Sequence, residues 1–313
     1  MPYLQLLRPE QWIKNLFLFA GVVFGHKLLA DGGVQWAALG LALRGFACFC
    51  LVSSAVYIFN DIHDRNEDKL HPRKRERPVA AGRVTPGAAA RWAALLLLIG
   101  AGGALWLDRG FFVIAAGYVV LQTAYTLWLK HATLLDVIAI GLGFVLRAVA
   151  GAVLVHVPIS PWLVLCTFTL CLFLGFSKRR CELNALAENG SAARHRRTLA
   201  EYTPDLLNHM TTLSAAVAVV SFMLYATDQR TTSPVTGIGT NHLLYTVPLV
   251  IFAIFRFALL VEHGRVDGPT AVVLRDRPFQ AAVLLWAIAA LVVVYCGPAL
   301  DVWLKKTLQG AAP

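Results

Sequence analysis

The sequence predicts an all-α integral membrane protein, a bundle of nine transmembrane helices with a cytoplasm-facing polar site and a lipid-open groove. Three observations lead there. Of 313 residues, 58% are hydrophobic and only 15% charged, whereas a soluble chain carries about 25% charged residues. The apolar residues fall in runs close to the roughly 20 residues a helix needs to cross a bilayer. The basic residues collect on one side of those runs. No composition shift marks a soluble domain or a low-complexity segment, so residues 1–313 read as a single transmembrane domain.

The runs cover 13–30, 36–59, 89–107, 111–129, 134–154, 161–177, 209–227, 242–260 and 279–297. The opening MPYLQLLRPEQW lacks the basic, apolar and small-residue order of a cleaved signal, so the first span is expected to stay as an anchor. With the spans alternating, most of the 28 Lys and Arg share the N-terminal side. The other side carries Lys27, Arg109, Arg230, Lys305 and Lys306, and Arg44 and Arg147 lie within spans. This asymmetry places the N-terminus in the cytoplasm and the protein in a bacterial inner membrane. The net charge of +10 then orients the chain and meets anionic lipid or substrate. No nucleic-acid partner is expected, and the oligomeric state is left open. Cys48, Cys50, Cys166, Cys171, Cys181 and Cys296 sit mostly in apolar runs without metal-site or redox spacing, and read as small buried residues.

The second span ends in NDIHDRNEDKLHPRKRERPVAAG, residues 60–82. Asp61, Asp64 and Asp68 stand at i, i+3 and i+7, on one face if the helix continues. Three carboxylates on one face repel unless a cation lies among them. Oxygen donors suit a hard ion, and magnesium binds through carboxylates and substrate phosphates together. Asn60 adds an amide oxygen or orients a metal-bound water. Arg73, Lys74, Arg75 and Arg77 follow at once and suit phosphate oxygens. Acids for a metal beside bases for phosphate indicate a metal–diphosphate site. His63 and His71 read as solvated neighbours.

Asn60-Asp61-x-x-Asp64-x-x-x-Asp68 matches NDxxDxxxD, and with nine spans the whole chain resembles the UbiA-type intramembrane prenyltransferase superfamily. The resemblance implies a nine-helix fold and a magnesium–diphosphate site at this motif. Tyr125 and Lys130, in YTLWLK, resemble a second family feature. The chain departs from the common pattern after the sixth span. Most members carry a second aspartate motif there, but no aspartate occurs between Asp136 and Asp205. Lys178, Arg179, Arg180 and Glu182 stand there instead, followed by Arg194, Arg196 and Arg197. Lys178 and Glu182 are spaced to form a helical i, i+4 pair.

RPEQWIKN, SKRRCEL, HRRTLAEYT and LRDRPFQ are similar to segments of the decaprenyl-phosphate phosphoribosyltransferase branch. That resemblance implies transfer of phosphoribose from 5-phosphoribosyl 1-diphosphate to a polyprenyl phosphate, as a step toward cell-wall arabinan. It makes Lys130 and Glu182 catalytic candidates beside the aspartates. Lys14, Asn15, Lys178, Arg179, Arg180 and Arg196 become candidates for the 5-phosphate or the lipid phosphate. Tyr125 could bond a phosphate oxygen, and Tyr202 is a substrate or packing residue. Arg147 is costly within a span and reads as a support of the site. Gly141, Gly143 and Gly151 read as close helix packing, and Asp276 as a helix cap.

Two other readings remain. An aromatic polyprenyltransferase shares the first motif and fold but expects the missing second aspartate motif. A lipid transporter would fit the basic loops but needs no aspartate triplet and expects broken helices.

Overall fold

The computed structural model describes residues 2–30, 33–70, 74–189, 199, 201–228, 241–264 and 269–309. Among the described residues the protein is all-α apart from one short antiparallel pair, β1 (Leu29–Ala30) with β2 (Gly33–Val34). Among the described residues, eight helices are long and apolar enough to cross a membrane, and the protein is an integral membrane protein. The chain forms two compact units, Met1–Pro158 and Ile159–Pro313.

Unit 1 begins with α1 (Pro2–Leu7), a 3-10 helix (Pro9–Phe19) and α2 (Ala20–Phe24). It continues with α3 (Trp36–His63), α4 (Arg65–Leu70), α5 (Pro86–Leu107), α6 (Arg109–Leu127) and α7 (Leu135–Leu154). The first expected span, 13–30, is therefore not one α-helix. Eleven residues in 3-10 geometry and five in α geometry still reach roughly 30 Å, the thickness of a hydrocarbon core. A second break precedes this span. Arg8 takes a left-handed backbone, φ 50°, directly before Pro9. That ends α1 and re-aims the chain, at a steric cost of about 1–2 kcal/mol.

Other joints follow sequence chemistry. Thr85 caps α5, its hydroxyl accepting from the Ala88 amide at 3.3 Å, with Pro86 at the first helical position. Asp108 ends α5 and caps α6 through the Phe111 amide at 2.7 Å, turning two spans at a single residue. Lipid tails are as apolar as the helices, so fit rather than water exclusion must hold the spans together. Leu18, Phe49, Phe111, Tyr118 and Leu154 interlock as one core, and Leu6, Ile58, Val79, Val84 and Leu96 as a second. At Gly151 a β-carbon would collide with the Leu18 carbonyl, and at Gly21 it would stand 2.7 Å from the Ala152 α-carbon. The 3-10 segment and α2 thus lie directly on α7, as the glycine reading of α7 anticipated for Gly151.

Unit 2 comprises α8 (Pro161–Asn189), α9 (Pro204–Thr227), a 3-10 turn (Asn241–Thr246), α10 (Val247–Glu262), α11 (Pro269–Arg275) and α12 (Arg277–Gln309). Helix α8 packs on α9, and α10 on α12. Phe173, Ile254, Phe257, Leu260 and Val272 share a core. Helix α8 does not stop at residue 177. It carries Lys178 through Glu182 on its later turns.

Candidate active site

Helix α3 ends at His63, with Asp64 as its C-cap, and α4 resumes at Arg65. The i→i−4 bonding nevertheless runs through: the Asp64 amide donates to the Asn60 carbonyl at 2.9 Å and the Asp68 amide to the Asp64 carbonyl at 2.8 Å. The three aspartates are deeply placed, 2%, 7% and 2% exposed for Asp61, Asp64 and Asp68. Buried carboxylates need compensation. Here it comes from three bases on three other parts of unit 1.

Arg8 donates to Asp61 Oδ1. Arg77, just past the 3-10 turn Lys74–Glu76, donates one terminal nitrogen to both Asp61 Oδ1 at 3.2 Å and Asp68 Oδ2 at 2.7 Å. Lys130, on the 3-10 turn Leu129–His131 after α6 and only 2% exposed, donates to Asp64 Oδ1. Arg77 thus joins two carboxylates while Asp64 turns to a third base. The three do not converge: among the described residues, no three His, Cys, Asp or Glu side chains form a metal-ligand group. One guanidinium nitrogen serving two acids does bring Asp61 and Asp68 within reach of a single cation.

The remaining candidates divide clearly. The Thr126 hydroxyl meets Asn60 Oδ1 at 3.2 Å and its own Gln122 carbonyl at 3.0 Å. The Asn60 oxygen therefore faces α6. Tyr125, half-buried one residue earlier, makes no hydrogen bond among the described residues. Arg75 is exposed and Lys74 half-buried beside it. Arg73 and Arg196 lie outside the described residues. Lys14 is half-buried on the 3-10 segment.

Asn15 and Arg147 are bonded to one another in the interior of unit 1. Asn15 is fully buried and donates to Ser53 Oγ at 3.1 Å and to Cys50 Sγ at 3.2 Å. Its oxygen accepts from Arg147 Nε at 2.8 Å. Arg147 also donates to the Gly143 carbonyl and the Tyr118 hydroxyl, both at 2.8 Å. The rings of Tyr118, Phe144 and Phe49 stand 4.6, 5.3 and 5.8 Å from its guanidinium carbon. Ring faces and neutral oxygens thus carry this charge without a carboxylate. Trp12 adds a bond to Ser54 Oγ at 3.1 Å, and Ser54 donates to the Leu7 carbonyl at 2.7 Å. The RPEQWIKN stretch is bolted to α3 and α7, which holds Arg8 over Asp61. Asn15 and Arg147 thus tie this segment to α3, α6 and α7.

In unit 2, Arg179 is 2% exposed and donates to Glu182 Oε2 at 2.5 Å. Lys178 reaches Glu182 at 3.9 Å in the i, i+4 spacing read from the sequence. Arg180 reaches Asn184 at 3.0 Å and Glu262 at 3.5 Å. Tyr202 is buried just before Thr203, which caps α9 through the Leu206 amide. Asp276 caps α12 through the Phe279 amide at 2.8 Å, as expected, and takes both ends of Arg256 at 3.1 and 2.8 Å.

Sequence reasoning missed Arg8 and Thr126 as site residues. Arg8 stands immediately before a helix-starting proline, but nothing in the sequence ties it to Asp61, 53 positions away. Thr126 had no signal at all.

The UbiA prenyltransferase family model matches residues 18–277. The chain is 34% identical over 290 residues to the decaprenyl-phosphate phosphoribosyltransferase of Mycolicibacterium smegmatis, covering 90% of this chain and 89% of that protein. It is 31% identical over 304 residues to the enzyme so named in Corynebacterium glutamicum, covering 94% and 87%. A UbiA homolog from Archaeoglobus fulgidus, solved bound to GPP and Mg2+, superposes with TM-score 0.66 at 19% identity, covering 94% of this chain and 99% of that one. The last likeness is one of fold. With the aspartate motif at the end of α3 and a model match spanning both units, the chain belongs to the UbiA prenyltransferase family.

Proposed function

We propose that the protein transfers phosphoribose from 5-phosphoribosyl 1-diphosphate to a polyprenyl phosphate, such as decaprenyl phosphate, releasing diphosphate, at the cytoplasmic face of a bacterial inner membrane. One observation carries this reading over its sister reactions. The two relatives compared above bear the phosphoribosyltransferase name across nearly their whole length. In keeping with that, the α8 segment offers Lys178, Arg179, Arg180 and Glu182 where a second aspartate pair would serve a prenyl diphosphate.

The donor set fits magnesium. Magnesium is commonly held by one or two carboxylates together with substrate phosphate. Asp61 and Asp68 supply oxygen-only donors that one cation can serve at once. When bound, the ion neutralises charge on the leaving diphosphate. Arg77, Arg8, Lys74, Arg75 and Lys130 share that charge. Asp64 keeps Lys130 in place, and Asn60 is oriented by Thr126. The C1–O bond to diphosphate breaks, the electron pair departs with diphosphate, and a lipid phosphate oxygen bonds to C1 from the opposite face. C1 inverts. A phosphate monoester is already anionic, so no strong base is required. Lys14 and the α8 bases Lys178, Arg179 and Arg180 are proposed as holders of the remaining phosphates. Glu182 is proposed to bond a ribose hydroxyl.

The test is turnover in detergent with magnesium, decaprenyl phosphate and radiolabelled 5-phosphoribosyl 1-diphosphate, with Asp61→Asn run beside the wild type. Labelled lipid from the wild type alone supports the reading. No label, with a prenyl diphosphate and hydroxybenzoate reacting instead, replaces it with the aromatic prenyltransferase.

A further inference from the structure

We propose that Arg77 is a resident counter-ion. In the substrate-free protein it holds the cation position between Asp61 and Asp68. It passes to the diphosphate when a divalent ion enters, so that metal and diphosphate bind cooperatively. This rests on the metal–diphosphate part of the reading above, not on the identity of the sugar or lipid.

The geometry is specific. A single Arg77 nitrogen lies 3.2 Å from Asp61 Oδ1 and 2.7 Å from Asp68 Oδ2. A magnesium ion bridging the same oxygens would sit about 2.0–2.1 Å from each. Both cannot occupy that gap. Of the three bases around the aspartates, Arg77 is the one placed to leave. Its side chain is 26% exposed, against 14% for Arg8 and 3% for Lys130. It stands at the end of a three-residue turn rather than within a long helix. Its other terminal nitrogen and Nε make no hydrogen bond among the described residues. Half of the planar fork is therefore available to phosphate oxygens, which suit its bidentate geometry.

The charges make the coupling. Asp61, Asp64 and Asp68 are matched by Arg8, Arg77 and Lys130, so a metal ion arriving alone finds no net negative charge and must evict a guanidinium. Diphosphate arriving alone meets buried carboxylates. Arriving together, the metal takes the two acids and the evicted Arg77 meets the anion. Each ligand removes the obstacle to the other, and linkage requires the effect to be mutual. A lysine ammonium has donors enough to bridge the two acids but no second guanidinium nitrogen left over for phosphate.

The experiment is Mn2+ binding to the full chain in detergent, followed by electron paramagnetic resonance, with and without inorganic diphosphate. Free Mn2+ is corrected for its solution complex with diphosphate. The wild type is expected to gain at least about tenfold in Mn2+ affinity when diphosphate is present. Arg77→Gln is expected to bind Mn2+ more tightly than wild type without diphosphate and to lose most of the gain with it. Arg77→Lys should bind Mn2+ alone as weakly as wild type but show a smaller gain. The proposal is overturned if Arg77→Gln binds Mn2+ alone no better than wild type, or keeps the full gain. If that variant does not fold, equal wild-type affinity with and without diphosphate overturns it. Neither sugar nor polyprenyl lipid is used. A failed turnover assay with intact coupling would therefore remove the phosphoribosyl reading alone, and the converse would remove only the counter-ion.

Discussion

One charged cluster in each unit pairs a buried group with a more exposed partner, and the sign of the buried group differs. Unit 1 buries its acids: Asp61, Asp64 and Asp68 are nearly sealed, and two of their three bases reach in from the rim. Unit 2 buries a base: Arg179 is sealed, while its partner Glu182 is 35% exposed on the side chain. At Arg180 the acid again lies outside, with Glu262 58% exposed, whereas Asp276 is the more buried partner of Arg256, 12% against 29%. A buried charge keeps its demand for an opposite charge, and the outer partner is the one that can be exchanged.

The comparison breaks most sharply at the buried acids. Asp61→Asn should lower turnover about 10²–10³-fold, the scale of losing one preorganised electrostatic contact at a reacting centre, as read in the labelled-lipid assay. Lys130→Met should strand Asp64 without compensation and cost about 3–5 kcal/mol of stability, measured by unfolding in mild detergent. Adding Asp64→Leu to Lys130→Met should restore most of that stability but none of the activity. A double variant as unstable as Lys130→Met alone would mean that the pair is a packing element and not an electrostatic one.

Arg147→Met should cost about 1.5–3 kcal/mol, since it leaves Asn15 and Tyr118 without a charged donor. It should also loosen residues 9–19, seen as faster amide exchange there. Unchanged exchange would detach Arg147 from the placement of Arg8.

Pairs in unit 2 should matter less. Lys178→Ala should change stability by about 0.3–0.5 kcal/mol, and less in high salt, because an exposed i, i+4 pair is weak. Asp276 offers a pH signature. Its hydrogen bond from Arg256 comes first, with the Phe279 amide adding to it, in holding its carboxyl below the ordinary carboxylate range. A depressed folded value means the carboxylate stabilises the fold above the unfolded value, near pH 4, and loses that contribution as pH falls through the lower folded value. Asp276→Asn should therefore melt earlier than wild type at neutral pH, with the gap closing toward pH 3. Asn caps a helix as well as Asp does, so a gap that persists there would assign the effect to something other than the carboxylate's charge.

Much of this was legible in one chain of letters. Eight of nine apolar runs became spanning helices, because their length and composition admit no other low-cost structure in lipid. Asp61, Asp64 and Asp68 read as one functional group at the end of α3 because i, i+3 and i+7 share a face. Asp276 read as a cap because it immediately precedes an apolar helix. The first run differs because its residues up to Phe19 take 3-10 geometry and α2 stops at Phe24, and apolar composition is blind to both. What the spacing did not carry is that Asp64 faces Lys130 while Asp61 and Asp68 face Arg77.

The sequence by itself determined the membrane setting, the helices, the acid triplet and the family, since each depends on composition, period or motif within a short window. Only the tertiary structure decided which bases answer which acids. Arg8 and Asp61 are 53 positions apart, and Lys130 and Asp64 are 66 apart. Those pairings are set by how α1, α3 and α6 pack, and short-range spacing carries no record of a partner that the fold brings from elsewhere in the chain.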